Sequence, residues 1–305
     1  MTISGFTIAR NATKYFFPIK ESIMSILPIV DEFIIALGEG DDDDNTEDLI
    51  RSIKSDKIKI YNRIWDEKLF VNGKIFKNET DFALSNCKGD WCFYLQADEV
   101  IHEKYLGYIV SSCKKYLSNK QIEGFLFNYR HFWGDFNHYV NTHGWYKNEI
   151  RIIRNGMGVS SYKDAQSFRI SGRKLRVHSL SAFVYHYGWV RPPWVMQSKK
   201  KEQASMHWGI ARSNEVYKRE TPVFDYGPLG RLPVFKDSHP EVMQDWISKF
   251  DWADDLNYGK KLDVDRNLIK HEKLKYRILS WLEKNILKGN QIGAWKNWII
   301  VSKDK

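Results

Sequence analysis

Short apolar runs alternate along the chain with polar stretches, and their spacing changes from two to about 3.6 and back. Residues 3–9, ISGFTIA, form an apolar run that stops at Arg10 and Asn11, which predicts a buried strand opening onto a loop. Over 15–29, Phe16, Ile19, Ile23, Ile26 and Leu27 recur at helical spacing. The segment DEFIIALG is a second strand, halted by Gly38 and Gly40. In EGDDDDNTEDLIRSI a polar loop passes into a helix, with Asn45 or Thr46 as its cap and acids in its first turn. A third strand is expected at 57–62 (KIKIYN), a helix at about 77–87, and then, through KGD, a fourth strand, WCFYL. This order predicts a mostly parallel sheet covered by helices, with ligands bound beyond the carboxyl ends of the strands. Those ends are 9–11, 38–44 and 96–99.

Beyond residue 105 the pattern loosens. GFLFNYRHFW, EIRIIRN, RKLRVHS and AFVYHYGWV read as strands, and helices dominate from about 192, the first being PWVMQSKKKEQASMHWG. The stretch 221–240, with Pro222, Pro228, Pro233 and Pro240, is an extended loop, and a last helix is expected near 271–288. There is no internal repeat.

With 305 residues the chain can bury one large core or two modest ones, and 43% hydrophobic against 28% charged content excludes a disordered protein. Aromatic residues make up 15%, which favours a ligand with flat faces such as a sugar ring or a base. The net charge of +9 favours anionic partners, yet the densest basic run, SKKKEQ, has no nucleic-acid module around it, so no nucleic acid is expected. Three cysteines without a CxxC pair imply neither a disulfide framework nor a zinc site. The start MTISGFTIARN lacks a signal-peptide pattern, and IMSILPIVDEFIIAL is broken by Pro28, Asp31 and Glu32, so a cytoplasmic protein is expected, possible contact with a membrane aside.

The fourth strand runs into FYLQADE, 93–99, and acids gathered at one edge of a parallel sheet are made tolerable by a divalent cation such as Mg²⁺ or Mn²⁺. Alone, an acid after a strand is more often a solvated turn residue. The ordered series SGFTIARNA, EFIIALGEGDDDDNTED, NETDFALSNCKGDW and CFYLQADE resembles the nucleotide-sugar half of family 2 glycosyltransferases, which have the GT-A fold. It is most similar to the subgroup with a D-A-D-E metal motif, which includes lipopolysaccharide-core glucosyltransferases. The resemblance covers about 2–105 and weakens toward 190.

The resemblance implies an α/β, Rossmann-like GT-A sheet with flanking helices over 1–190. The nucleotide-sugar half would be about 1–105, the acceptor half about 106–190, and 191–305 a largely helical, loop-rich extension. It implies an inverting transfer from a nucleotide sugar, UDP-hexose foremost, to a glycan or glycolipid, with Mn²⁺ or Mg²⁺ bridging the diphosphate. Asp98 matches the metal-holding acid, and Gln96 stands where a first Asp is expected, an amide that can bond a hydroxyl but brings no charge. Ala97 lies between them. Ile8, Ala9 and Arg10 match the loop around base and ribose, Glu39 the acid that reads the base edge, and Asp81 lies on the helix facing the nucleotide.

For the base that takes the acceptor proton, Asp164 in VSSYKDAQSF comes first, with Glu149 and Glu99 as rivals. His186 in VYHYGWV stands where a third metal ligand or phosphate contact is expected, near Arg191 and Lys199, and alternation turns it away from Tyr185 and Tyr187. The DDDD run at 41–44 reads as solvated. The acceptor segment is FWGDFNHYVNTHGWY, which either stacks on sugar rings or packs as an insertion. Leu274, Ile278, Leu282 and Ile286 line one face of the last helix, which suits either the core or a membrane surface. A nucleotidyltransferase is disfavoured because TIARNATKYFF has no glycine-rich loop. A catalytically idle, carbohydrate-binding relative is the rival that Gln96 keeps open.

Overall fold

The computed structural model describes residues 1–294 and 296–304. Its first part alternates as the pattern predicts: strand β1 (Ile3–Ala9), helix α1 (Ile19–Ile26), β2 (Glu32–Gly38), α2 (Thr46–Arg51), β3 (Ile58–Arg63), α3 (Lys74–Ser85) and β4 (Trp91–Tyr94). The helix expected over 15–29 is shorter because Pro18 sets its start and a 3₁₀ turn at Leu27–Ile29 ends it. A three-residue strand β5 (Glu99–Ile101) and helix α4 (Leu106–Lys115) follow. Then come β6 (Gly124–Phe132), β7 (Tyr139–Val140), β8 (Asn148–Arg154), β9 (Val159–Tyr162), β10 (Ser167–Ile170) and β11 (Arg173–His186). The remainder holds α5 (Pro193–Trp208), α6 (Ile210–Tyr217), α7 (Gln244–Ile247), α8 (Leu274–Asn285) and β12 (Trp298–Lys303).

The sheet order is β3-β2-β1-β4-β8-β6-β11-β10-β9. β3, β2, β1 and β4 run parallel; β8 is antiparallel to both β4 and β6, and β11 returns parallel to β6. Alternation along β2 puts Phe33 and Ile35 into a core under α1 and α4, and Ile34 and Ala36 into a second core under α3. RKLRVHS and AFVYHYGWV, expected as two strands, are one strand: β11 carries a register shift between Ser179 and Phe183 that interrupts its pattern without ending it. Its last residues pair antiparallel with β5, Tyr185 opposite Val100 and His186 opposite Glu99. β12, on which the sequence pattern is silent, pairs parallel with the start of β11.

A third, largely aromatic core joins the end of β6 to the chain beyond residue 220, with Phe132, Trp133 and Tyr187 packed against Phe224, Tyr226, Trp246 and Trp252. The cysteines are buried and unpaired. The last helix is amphipathic as expected, but its apolar stripe docks little: Leu274, Ile278 and Ile286 are exposed, as is Trp281 beside them, Leu282 is half-buried, and the helix holds the body through Ser280 and Glu283. Among the described residues no helix is long and apolar enough to cross a membrane.

Candidate active site

A cleft of about 680 Å³ opens at the carboxyl ends of β1 and β4. Ile8, Ala9 and Arg10 line it from β1, and Gln96, Ala97 and Asp98 from the turn after β4. Asp164, His186 and Lys199 reach it from three later parts of the chain. The turn is held at both ends: the Ser22 hydroxyl donates to the Gln96 carbonyl at 3.0 Å, and the Tyr187 amide to the Asp98 carbonyl at 2.8 Å. This clamp, with the β5–β11 pairing, sets the Asp98 carboxylate beside the His186 ring.

Asp98 is 6% exposed, and its Oδ1 lies 3.8 Å from His186 Nε2, too far for a hydrogen bond. Gly188 keeps the space between them open, since a Cβ there would sit 2.6 Å from His186 Nε2 and 2.7 Å from Asp98 Oδ2. An open gap between a buried carboxylate and an imidazole nitrogen fits a divalent cation. Among the described residues no three His, Cys, Asp or Glu side chains converge, so the protein would contribute two ligands and leave the rest to substrate oxygens and water. The imidazole favours Mn²⁺ over Mg²⁺.

Positive charge gathers beside this gap. Arg191 is fully buried and sits behind the cleft wall rather than lining it, and none of its three guanidinium nitrogens has a hydrogen-bond partner among the described residues. Its guanidinium carbon lies 4.4 Å from the centre of the Phe17 ring. Lys199 is walled in by Phe17 and Trp189, and burial, reinforced by Arg191, pushes its amine down to about 7 against the pull of Asp98. An unpaired buried guanidinium is costly, and an anion that accepts its hydrogen bonds removes the cost.

Other expectations are corrected. Glu99 does not line the cleft: it is fully buried, receives Arg151 through two bonds of 2.7 Å and the Tyr129 hydroxyl at 2.7 Å, and is a structural anchor rather than a free base. Glu149 also lies beneath the cleft wall, and burial raises its carboxyl to about 8, so at neutral pH it holds its proton. Asp81 pairs with Lys77 and accepts the Ser161 amide, tying α3 to β9 instead of facing a nucleotide. Glu39 projects into solvent at the loop, its amide donating to the Arg63 carbonyl and its carbonyl accepting from Arg10 Nε, both at 2.8 Å. Arg10 itself is committed to Asp41 and Glu202, at 3.2 and 2.6 Å. Within DDDD, Asp41 and Asp43 pair with Lys14, and Asp44 accepts from the Thr13 and Thr46 hydroxyls.

Asp164 does reach the cleft, in a turn whose neighbours Lys163 and Ala165 both have positive φ. It packs on Gly73 at the start of α3, where a Cβ would come within 2.6 Å of its own. Tyr15, Phe17, Trp65, Trp145, Tyr146 and Trp189 supply aromatic walls, and α5 adds Lys200, Glu202, Gln203 and His207. Sequence reasoning missed most of these because an aromatic beside a strand reads as core filler until the topology opens a cleft next to it. It missed His131 for the same reason: in strand β6 it shares a face with buried Tyr129 and so reads as core.

No family model matches the sequence, and no curated protein matches it. Among solved structures the chain is similar to Staphylococcus aureus TarS residues 1–349, at 13% identity and a TM-score of 0.37, covering 71% of this chain and 69% of that one. It is also similar to Mycobacterium tuberculosis glucosyl-3-phosphoglycerate synthase in complex with Mn²⁺, UDP and phosphoglyceric acid, at 20% identity and a TM-score of 0.29, covering 42% of each chain. Mannosyl-3-phosphoglycerate synthase from Rubrobacter xylanophilus matches at 19% identity and a TM-score of 0.30, over 43% of this chain and 41% of that one. The chain thus spans less than half the length of the two synthases.

Proposed function

We propose that the protein is an inverting glycosyltransferase of the GT-A type, family 2-like, that moves a hexose from a nucleotide diphosphate sugar, UDP-linked foremost, to a glycan or glycolipid. The observation that carries this reading is the pairing of two features at one strand end. A cation-sized gap lies between Asp98 and His186, and beside it sit the unpartnered Arg191 guanidinium and Lys199. Together they fit a diphosphate bound with a divalent cation, which Asp98 and His186 would hold while the positive charge of Lys199 and Arg191 favours the phosphate oxygens.

Asp98 and His186 would hold Mn²⁺ or Mg²⁺, which when bound neutralises charge on the diphosphate and so eases its departure. Lys199 binds and orients the phosphates from the cleft wall, and Arg191 behind it adds the positive charge that stabilises the leaving group. The walls from Ile8 to Arg10 and from Tyr15 and Phe17 receive the base and ribose, and Gln96 offers its amide to a hydroxyl. Asp164 takes the proton of the acceptor hydroxyl as its oxygen attacks the anomeric carbon and the bond to the β-phosphate oxygen breaks. Trp145, Tyr146 and Trp189 present ring faces to the acceptor. The outward Leu274, Ile278 and Trp281, flanked by Lys275 and Arg277, suit peripheral contact with a membrane bearing a lipid-linked acceptor on its cytoplasmic side.

The test is donor hydrolysis with and without Mn²⁺, on wild type and on Asp98→Ala. Wild type should release UDP from a UDP-sugar faster with Mn²⁺, and Asp98→Ala should lose at least about 100-fold, the scale of one electrostatic stabiliser. Silence of both proteins with every UDP-hexose would favour the idle carbohydrate-binding reading.

A further inference from the structure

Behind the Asp98–His186 gap a chain of hydrogen bonds links the His186 ring to the backbone of Tyr146. His186 Nδ1 lies 3.0 Å from His131 Nδ1, and His131 Nε2 lies 2.8 Å from the Tyr146 carbonyl oxygen. His131 is 2% exposed, comes from β6 directly opposite His186 in the β6–β11 register, and has no cleft surface of its own. Among the described residues it is the group that links His186 Nδ1 to a backbone carbonyl.

The direction of this chain follows from the carbonyl. A carbonyl oxygen accepts only, so His131 Nε2 carries a hydrogen and donates. With the ring hydrogen on Nε2, the neutral imidazole presents its lone pair at Nδ1, which is then the acceptor. Two imidazole nitrogens at hydrogen-bond distance need one hydrogen between them, so His186 Nδ1–H is the donor. That leaves His186 Nε2 bare, and Nε2 is the atom facing Asp98 across the space that Gly188 keeps open. We propose that His131 is a positioning residue that locks His186 in the Nδ1–H tautomer and fixes its ring plane, aiming the Nε2 lone pair at a divalent cation shared with Asp98. The usual partner of a ligating histidine is a carboxylate or carbonyl; here a second histidine relays the carbonyl of Tyr146, whose own ring lines the cleft.

The inference rests on the reading of Asp98 and His186 as metal ligands, and two independent readouts keep the two apart. The first is the tautomer of His186 in metal-free protein, from long-range ¹H–¹⁵N spectra of selectively labelled histidines. The second is Mn²⁺ affinity by electron paramagnetic resonance with UDP present. Wild type should show His186 protonated at Nδ1 only. His131→Phe should release that tautomer and weaken Mn²⁺ binding by about 10- to 100-fold. His131→Gln, whose amide has both an acceptor oxygen and a donor NH, should restore most of both. If His131→Phe does not fold, the wild-type and His131→Gln spectra decide. A hydrogen on His186 Nε2 in wild type, or an unchanged tautomer and Mn²⁺ affinity in His131→Phe, overturns the proposal. The expected tautomer without any Mn²⁺ binding supports the lock and sinks the metal reading alone.

Discussion

Lys199 shows how far a residue's chemistry departs from its letter. Its amine sits between Phe17 and Trp189 with Arg191 and Lys200 as like charges and Asp98 as the opposing one, and burial brings it down to about 7. A bound diphosphate holds the proton on, whereas the free protein sheds it above neutrality, so binding between pH 7 and 9 takes up a proton. Affinity for UDP without metal should therefore fall as pH rises through that window, approaching about tenfold per unit at its steepest. Calorimetry at pH 7, 8 and 9 on wild type and Lys199→Met checks this; the variant should bind more weakly and lose most of the slope. Asp98 and Lys199 were legible as candidates from their places after β4 and in the first helix past residue 190. The empty hydrogen-bonding positions of Arg191 were not, because they depend on what fails to surround it.

At the scale of elements, the short pairing of β5 with the end of β11 does most to build the site, and Glu99 shows why a strand-end acid need not be catalytic. Its carboxylate and Arg151 are both fully buried and bonded at two points, with Tyr129 a third donor. Removing one side leaves the other charge buried alone. Glu99→Ala should lower stability by about 3–5 kcal/mol in urea unfolding. A catalytic base would instead be expected to lose turnover at unchanged stability. The periodicity of β1 to β4 was readable because each is apolar, short and bounded by polar or glycine-containing turns. β5 was not, since three residues carry no period, and β11 was read as two strands because its bulge breaks the alternation.

Across the whole molecule, the chain beyond residue 190 encloses the cleft. α5 lines one wall, and Ile269 and Lys270 another. α8 secures the loop that carries Trp145 and Tyr146: Glu283 accepts from His143 at 2.5 Å and from Lys147 at 3.4 Å, and Gln291 donates to the Trp145 carbonyl at 2.9 Å. Burial raises the Glu283 carboxyl, and the bonds from His143 and the Ile292 amide, with the charge of Lys147, together more than offset it, so the carboxylate is held below its ordinary range. Glu283→Ala should speed amide hydrogen exchange over 141–147 by roughly tenfold or more, while β1 to β4 keep their protection. Uniform exchange across the protein would mean that the helix does not secure this loop.

The order of strands and the polar character of their ends were determined by the sequence alone, because burial of a strand demands apolar periodicity and a turn demands its absence. Asp98, His186, Asp164 and Lys199 could be picked out as candidates, but Glu39, Asp81, Glu99 and Glu149 looked equally suitable. Only tertiary structure separated the two groups. Whether a carboxylate meets a cleft, an arginine or a backbone amide is settled by residues far along the chain, and His131 and Gly188 acquire their roles through what β6 and β11 bring beside them.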